Sequence, residues 1–188
     1  SRNIIRLARI INDLLDLSRL ESGRAKMLRK KISPLDLIHD IQTNFTAEIE
    51  DKQIEFIIDV PHDIPEVFAD SDMIIQVLNN LINNAIRYTK KTITISAHLA
   101  SDTKYKSTLG DNAIIFSVED DGIGIESKNL KSLFNKFEQI NRKVGGSGYK
   151  GTGLGLAICK EIIALHHSKI WASIETQSGA KLCFSLPV

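Results

Sequence analysis

Hydrophobic positions run along the 188-residue chain in two rhythms, a step of three or four residues and a step of two, and each rhythm predicts its own element. Over residues 3–22, Ile4, Leu7, Ile11 and Leu14 recur at helical spacing, while Ile10, Leu15, Leu17 and Leu20 widen the stripe beyond a two-stranded seam. The pattern predicts one helix of a bundle, roughly 30 Å long at 1.5 Å per residue, closed near Ser22 and Gly23 by a left-handed glycine cap. One helix cannot bury so broad a face alone. The stripe also starts directly after Ser1, so partner helices are expected in another chain or in sequence upstream.

After a basic stretch at residues 29–31, Ser33-Pro34-Leu35-Asp36 supplies an N-cap, a first-turn proline and an acid three residues on, predicting a helix to about Glu50. Residues 54–60 are rich in β-branched side chains and bounded by Pro61, which predicts a strand, and 67–69 a shorter one. Residues 70–72 cap an apolar helix over 73–88; 92–99 alternate as a strand, and the polar stretch 101–112 reads as a hairpin loop into a strand at 113–118. A glycine turn (120–124), a short helix near Leu130, a glycine-rich segment (145–155), a helix to about Leu165 and strands at 170–175 and 182–186 complete the chain. This order predicts an α+β fold: a two-layer α/β sandwich, one mixed sheet with helices on one face, plus one N-terminal bundle helix.

Composition narrows the chemistry. With 24 basic and 23 acidic residues the net charge of +1 offers no broad field for nucleic acid or an anionic membrane, so any bound phosphate must be held by local groups. Cys159 and Cys183 lie in apolar runs without CxxC spacing and are expected to be buried free thiols, which suits a reducing cytoplasm. No apolar run approaches the roughly 18 residues a bilayer span needs, and no signal-peptide pattern opens the chain. The expectation is a cytoplasmic piece without membrane contact of its own, from a parent that can be anchored elsewhere.

Three stretches carry candidate chemistry. In QVLNNLINNAIRYT (76–89), Asn80, Asn84 and Arg87 fall at i, i+4 and i+7, so two carboxamides and a guanidinium share one helical stripe. Amide oxygens can ligate Mg²⁺, and a nearby cation can meet the phosphates that such a metal bridges. Alone, the stripe reads equally as the polar face of a surface helix. VEDDGIGI (118–125) ends a strand on an acid and follows it with glycines that let backbone approach a flat ligand. Ionised Asp120 can accept from an exocyclic amine such as adenine N6, although Asp-Gly is also an ordinary turn. GYKGTGLGLA (148–157) feeds glycine-rich backbone into a helix N-terminus, where N–H groups and the positive dipole end suit an anion; a linker entering a capped helix looks the same. It is neither a Walker A loop nor placed after a strand as a dinucleotide fingerprint is.

In this order the three stretches resemble the N box and two glycine boxes of sensor histidine kinases, within the wider ATPase superfamily of gyrase, the mismatch-repair ATPases and the large heat-shock chaperone. LFNKFEQ (133–139) resembles the family's phenylalanine box, and NDLLDLSRLESG (12–23) the second helix of its dimerisation and phosphotransfer domain. The resemblance implies a Bergerat-type ATP-binding domain over 32–188, a linker over 24–31 and part of the dimerisation domain over 1–23. It implies binding of ATP, ADP and Mg²⁺, with Asn84 as metal ligand, Asn80 beside it, Arg87 and Tyr88 near the phosphates and Asp120 on adenine. Gly122, Gly124, Ile125, Gly151, Thr152, Gly153, Leu154 and Gly155 would shape the pocket, and 138–150 would be the lid.

By the same resemblance the γ-phosphoryl group goes to a histidine on the dimerisation domain and then to the receiver domain of a response regulator, within a homodimer. No acceptor is recognisable in this chain. His39-Asp40 imitates the acceptor dipeptide but follows Ser33-Pro34 and lacks a following proline, so it is read as a surface histidine. His62 flanks prolines, His98 ends a strand, and His166 and His167 sit at a helix terminus where imidazolium would complement the dipole. The piece is therefore expected to bind Mg-ATP without phosphorylating itself. A hydrolysing relative would carry glutamate in place of Asn80, since an amide is no general base; a nucleotide-binding pseudokinase that signals by conformation is the alternative. Three positions depart from the family pattern: Gln139 replaces an arginine, leaving a lid cation to Arg142 or Lys143; His166-His167-Ser168 replaces glycines; and the final glycine box keeps only Gly179.

Overall fold

The computed structural model describes residues 2–109, 112–138, 151–173 and 179–188. Residues 139–150 of the expected lid (138–150), with Gln139, Arg142 and Lys143, lie outside the described residues, as do 174–175 of the predicted strand. The elements are α1 (Arg2–Glu21), β1 (Lys30–Ile32), α2 (Pro34–Asp51), β2 (Glu55–Asp59), β3 (Val67–Ala69), α3 (Ser71–Tyr88), β4 (Thr92–Leu99), α4 (Lys106–Leu109), β5 (Ala113–Asp120), α5 (Gly155–Leu165), β6 (Ile170–Ser173) and β7 (Ala180–Pro187).

The helix starts follow from their caps. Ser33 Oγ accepts from the Asp36 N–H at 3.2 Å ahead of Pro34, and Asp70 Oδ1 accepts from the N–H groups of Asp72 and Met73, both at 3.1 Å. Each such cap is worth about 1 kcal/mol. From that start, α3 buries Ile74, Val77, Leu78, Leu81, Ile82, Ala85 and Ile86, which leaves its opposite stripe to polar side chains.

Five strands form the main sheet in the order β2-β4-β5-β7-β6, with β2 parallel to β4 and the remaining pairs antiparallel. Ile93 and Ile95 of β4, Ile114, Phe116 and Val118 of β5, and Leu182, Phe184 and Leu186 of β7 alternate onto the helical side and meet α2, α3 and α5 in one core. Phe116 and Phe184 stack with centroids 5.0 Å apart at its centre. The predicted two-layer sandwich is the observed one.

Three details differ from the pattern-based expectation. Lys30 and Lys31, read as linker, belong to β1, which pairs antiparallel with β3 and buries only Ile32; two exposed lysines conceal so short a strand. Residues 101–112 are more than a hairpin loop: a 3₁₀ turn at Ala100–Asp102 and α4 bring Tyr105 and Leu109 onto Ala113, Ile115, Cys183 and Trp171, on the far side of the sheet. Near Leu130 there is a 3₁₀ turn at Ser127–Asn129 in place of a helix.

Helix α1 ends as expected, with Gly23 at φ +67°. Leu17 and Leu20 at its end are buried in the core, whereas Ile4, Ile5, Leu7, Ile11, Leu14 and Leu15 are exposed. Its last turns are tied down by polar contacts: Gln76 Nε2 donates to Asp16 Oδ2 at 3.0 Å, Thr152 Oγ1 donates to Asp13 Oδ2 at 2.8 Å, and Lys136 pairs with Glu21 at 2.5 Å.

Candidate functional site

The polar stripe of α3 faces the start of α5. Asn80 Nδ2 donates to the Gly155 carbonyl at 3.3 Å, and a Cβ at Gly155 would stand 3.4 Å from Asn80 Oδ1. Two turns along, the Arg87 guanidinium lies against Gly151, where a Cβ would come within 2.7 Å of it. Asn84 lies between them on the same stripe, half-buried. Helix α5 begins with no capping side chain at Leu154, whose N–H bonds Thr152 Oγ1 at 3.2 Å. A helix start left to its own backbone donors, with a guanidinium beside the approaching chain, is suited to an anion.

The end of β5 brings a second set of groups to the end of α3. Asp120 is 6% exposed, and its Oδ1 accepts from the Gly122 N–H at 2.9 Å. No side chain fits at Gly122, since a Cβ would stand 2.1 Å from the Tyr88 carbonyl oxygen. Gly179 takes φ +83°, and its Cβ would fall 1.7 Å from the Asp120 carbonyl, so only glycine closes the β7 side of this turn. Gly124 packs on Gly179, Gly153 packs on the Phe137 backbone, Leu154 is fully buried and Ile125 packs against the core. Every predicted site residue thus lies among the described residues, and Gly122, Gly151 and Gly155 are the ones brought against Tyr88, Arg87 and Asn80 of α3.

Two participants lay outside the pattern-based reading. Asp121, next to the candidate base-reading acid, accepts from Thr89 Oγ1 at 2.6 Å and from the N–H groups of Lys90 and Lys91 at 2.8 and 3.0 Å. Burial pushes its pKa up, but these donors outweigh it and hold the carboxyl below its ordinary value of 3.8. The second is Asp13, whose hold on Thr152 brings α1 to the edge of the glycine segment. The acidic pair 120–121 was a signal for the first; for the second no local signal exists, because the contact spans 139 residues.

The expectation for His166 needs correction. His166 is buried, its Nε2 accepts from the Asp70 N–H at 3.0 Å and its Nδ1 lies 2.8 Å from the Ile162 carbonyl. That arrangement requires the neutral ring with the proton on Nδ1, and burial lowers its pKa further. The cation at this helix end is Arg29, whose guanidinium donates to the Leu165 carbonyl at 2.8 Å. Cys159 and Cys183 are free and buried as expected, with burial pushing both thiols up to about 12. His39 is exposed on α2.

Residues 69–188, from the end of β3 to the C-terminus, match the family of histidine kinase-, DNA gyrase B- and HSP90-like ATPases. The chain belongs to this family. Among curated relatives, the adaptive-response sensory kinase SasA of Synechocystis sp. is 30% identical over 96% of this chain and 44% of its own length. The sensor histidine kinase WalK of Bacillus subtilis is 34% identical over 97% of this chain and 28% of its own. The chain thus spans less than half the length of these relatives. The solved catalytic domain of histidine kinase ThkA superposes with a TM-score of 0.69 at 28% identity, over 86% of this chain and 98% of that one. A structure of ThkA in complex with the response regulator protein TrrA covers 99% of this chain with a TM-score of 0.73 at 24% identity, a likeness of fold.

The chain is therefore a histidine kinase ATPase domain of the two-component kind. The family match starts at residue 69, yet α2 and β2 are built into the same core as the matched part. Among the described residues no helix is long and apolar enough to cross a membrane.

Proposed function

We propose that this histidine kinase domain binds Mg-ATP across the end of β5, the stripe of α3 and the start of α5, and donates the γ-phosphoryl group to a histidine carried by the dimerisation domain. The observation that carries this reading is the convergence of a buried acid and a cap-free helix start on one face of α3, joined to it through Gly122–Tyr88 and Gly155–Asn80. A purine amine pairs with a buried carboxylate at one end, and phosphates meet backbone N–H groups and Arg87 at the other.

The donor set fits a magnesium ion that arrives with the nucleotide. Asn84 and Asn80 offer hard amide oxygens, and among the described residues no group of three or more His, Cys, Asp or Glu side chains could hold a metal by itself. When bound, the ion would neutralise phosphate charge. Asn80 cannot take a proton from water, which favours transfer to a residue delivered from elsewhere over hydrolysis.

On this reading residues 1–23 are the end of the dimerisation domain, 24–31 its connection and 32–188 the catalytic domain, with the exposed stripe of α1 completing a helical bundle in a cytoplasmic homodimer. The receiver domain of a response regulator would be the partner that takes the phosphoryl group onward; ThkA, a protein of similar fold, has been solved in complex with the response regulator protein TrrA.

Nucleotide selectivity tests the assignment. GTP presents an acceptor where ATP presents the N6 amine, so ATP should bind far better. Loss of a hydrogen bond to a charged group costs about 1.5–3 kcal/mol, so Asp120→Ala should weaken ATP roughly 10- to 150-fold by calorimetry. Equal affinity of variant and wild type for ATP would sink the assignment.

A further inference from the structure

We propose that Asp121 is a positioning residue for nucleotide binding: by anchoring the end of α3 to the end of β5, its carboxylate fixes the spacing between the base side and the phosphate side of the site. This deepens the nucleotide reading above and rests on it. Base and phosphates of one ligand are covalently joined, so a site that holds both gains over two separate sites only when its halves stand at the ligand's own spacing. Here the halves belong to different elements, with Asp120 and Gly122 at the end of β5 and Asn84 and Arg87 on α3.

Beyond the core they share, the two elements are tied together at their ends. Oδ1 of Asp121 accepts from Thr89 Oγ1 at 2.6 Å and from the backbone N–H groups of Lys90 and Lys91 at 2.8 and 3.0 Å, the residues that directly follow α3. The Asp121 N–H in turn donates to the Thr92 carbonyl at 3.3 Å, where β4 begins. Thr89 has one hydroxyl proton and two acceptors in reach, the Thr92 carbonyl at 3.0 Å and Asp121 at 2.6 Å; the shorter, charged one takes it. Beside this anchor the backbones of Gly122 and Tyr88 touch without room for a Cβ, so a change in the anchor transmits directly to the position of Asp120 relative to Arg87. None of the three donors is assigned to the ligand. Their arrangement, two successive N–H groups and a hydroxyl on one oxygen, is that of a fixed anion site occupied by the protein's own carboxylate. The donors also hold the group ionised well below neutral pH, so the anchor stays charged under working conditions.

A probe series separates positioning from stability. Adenosine, Mg²⁺-tripolyphosphate and Mg-ATP are titrated by calorimetry into the 188-residue chain and into Asp121→Ala, Asp121→Asn and, from the opposite side of the anchor, Thr89→Val. With positioning lost, adenosine and tripolyphosphate should hold within about 2-fold while Mg-ATP weakens at least about 10-fold in Asp121→Ala, because only the joined ligand senses the spacing. Thr89→Val should fall between, and Asp121→Asn, which keeps an acceptor oxygen, should recover most of the affinity. Parallel weakening of all three probes with a fallen melting temperature, or unchanged Mg-ATP affinity in Asp121→Ala, overturns the role. Should Asp121→Ala fail to fold, Thr89→Val carries the same comparison. A wild type that binds no Mg-ATP removes the nucleotide reading itself, whereas a binding wild type with indifferent variants removes only Asp121.

Discussion

His166 shows how one side chain couples the fold to proton concentration. Its ring joins the start of α3 to the end of α5 and is neutral, accepting from Asp70 N–H through Nε2 and donating from Nδ1 to Ile162. Charging it would set a ring N–H against the Asp70 N–H. Burial pushes the pKa below 6.5; the Ile162 carbonyl works upward, Arg29 downward, Asp70 upward and His167 downward, with a net lowering. As pH falls the unfolded chain therefore takes up this proton first. Its contribution is complete above the unfolded value of 6.5 and is lost as pH drops from there toward the folded pKa, at up to about 1.4 kcal/mol per pH unit. His166→Gln, which can still accept from Asp70, should flatten that slope in denaturant midpoints taken between about pH 5 and 7; an unchanged slope would assign it to other groups. At this scale the sequence was most legible in placement, with the Asn80–Arg87 stripe on α3 and Asp120 and Gly122 at the end of β5. It was misleading at His166, because a histidine at a helix end suggests a charge–dipole contact until burial is known, and burial here depends on Asp70, 96 residues away.

At the scale of elements, α1 reaches the candidate site through its last turns. Asp13 holds Thr152 inside the glycine segment, which sets a carboxylate beside the proposed path of the phosphates. Like charges there should oppose one another by about 1 kcal/mol at the surface. Asp13→Asn keeps an acceptor for Thr152 but removes the charge, so Mg-ATP binding should tighten about 2- to 10-fold at low salt and converge on wild type near 0.5 M salt. Equal affinity at low salt would place Asp13 outside the field of the phosphates. The long elements, α1, α2, α3 and β4, were readable because repeated periodicity and caps reinforce one another over many residues. β1 and α4 were not: three residues carry too few positions to show a period, and α4 is held by tertiary contact of Tyr105 and Leu109 with Trp171 and Ile115 rather than by its own pattern.

At the scale of the whole molecule, one helical layer carries both the proposed phosphate site and the nearest imitation of an acceptor. Phosphoryl transfer needs a nucleophile in line and about 3–3.5 Å from the γ-phosphorus. His39 is exposed on α2, whose face of Leu37, Ile38, Ile41 and Phe45 is buried against the same core as α3. Moving His39 to the phosphates would pull that face out of the core, and deleting even one such leucine or isoleucine contact set costs about 2–5 kcal/mol. His166 is equally unsuited, since both ring nitrogens are engaged. The 188-residue chain should therefore bind Mg-ATP yet take up no label from radioactive γ-phosphate. Extending it upstream by a helix that pairs with the exposed stripe of α1 and bears a histidine should introduce label that acid removes and alkali does not, as a phosphoramidate requires. Acid-labile label on the 188-residue chain itself, mapped to His39 and lost in His39→Gln, would make α2 the acceptor helix and overturn the assignment of that role to the dimerisation domain.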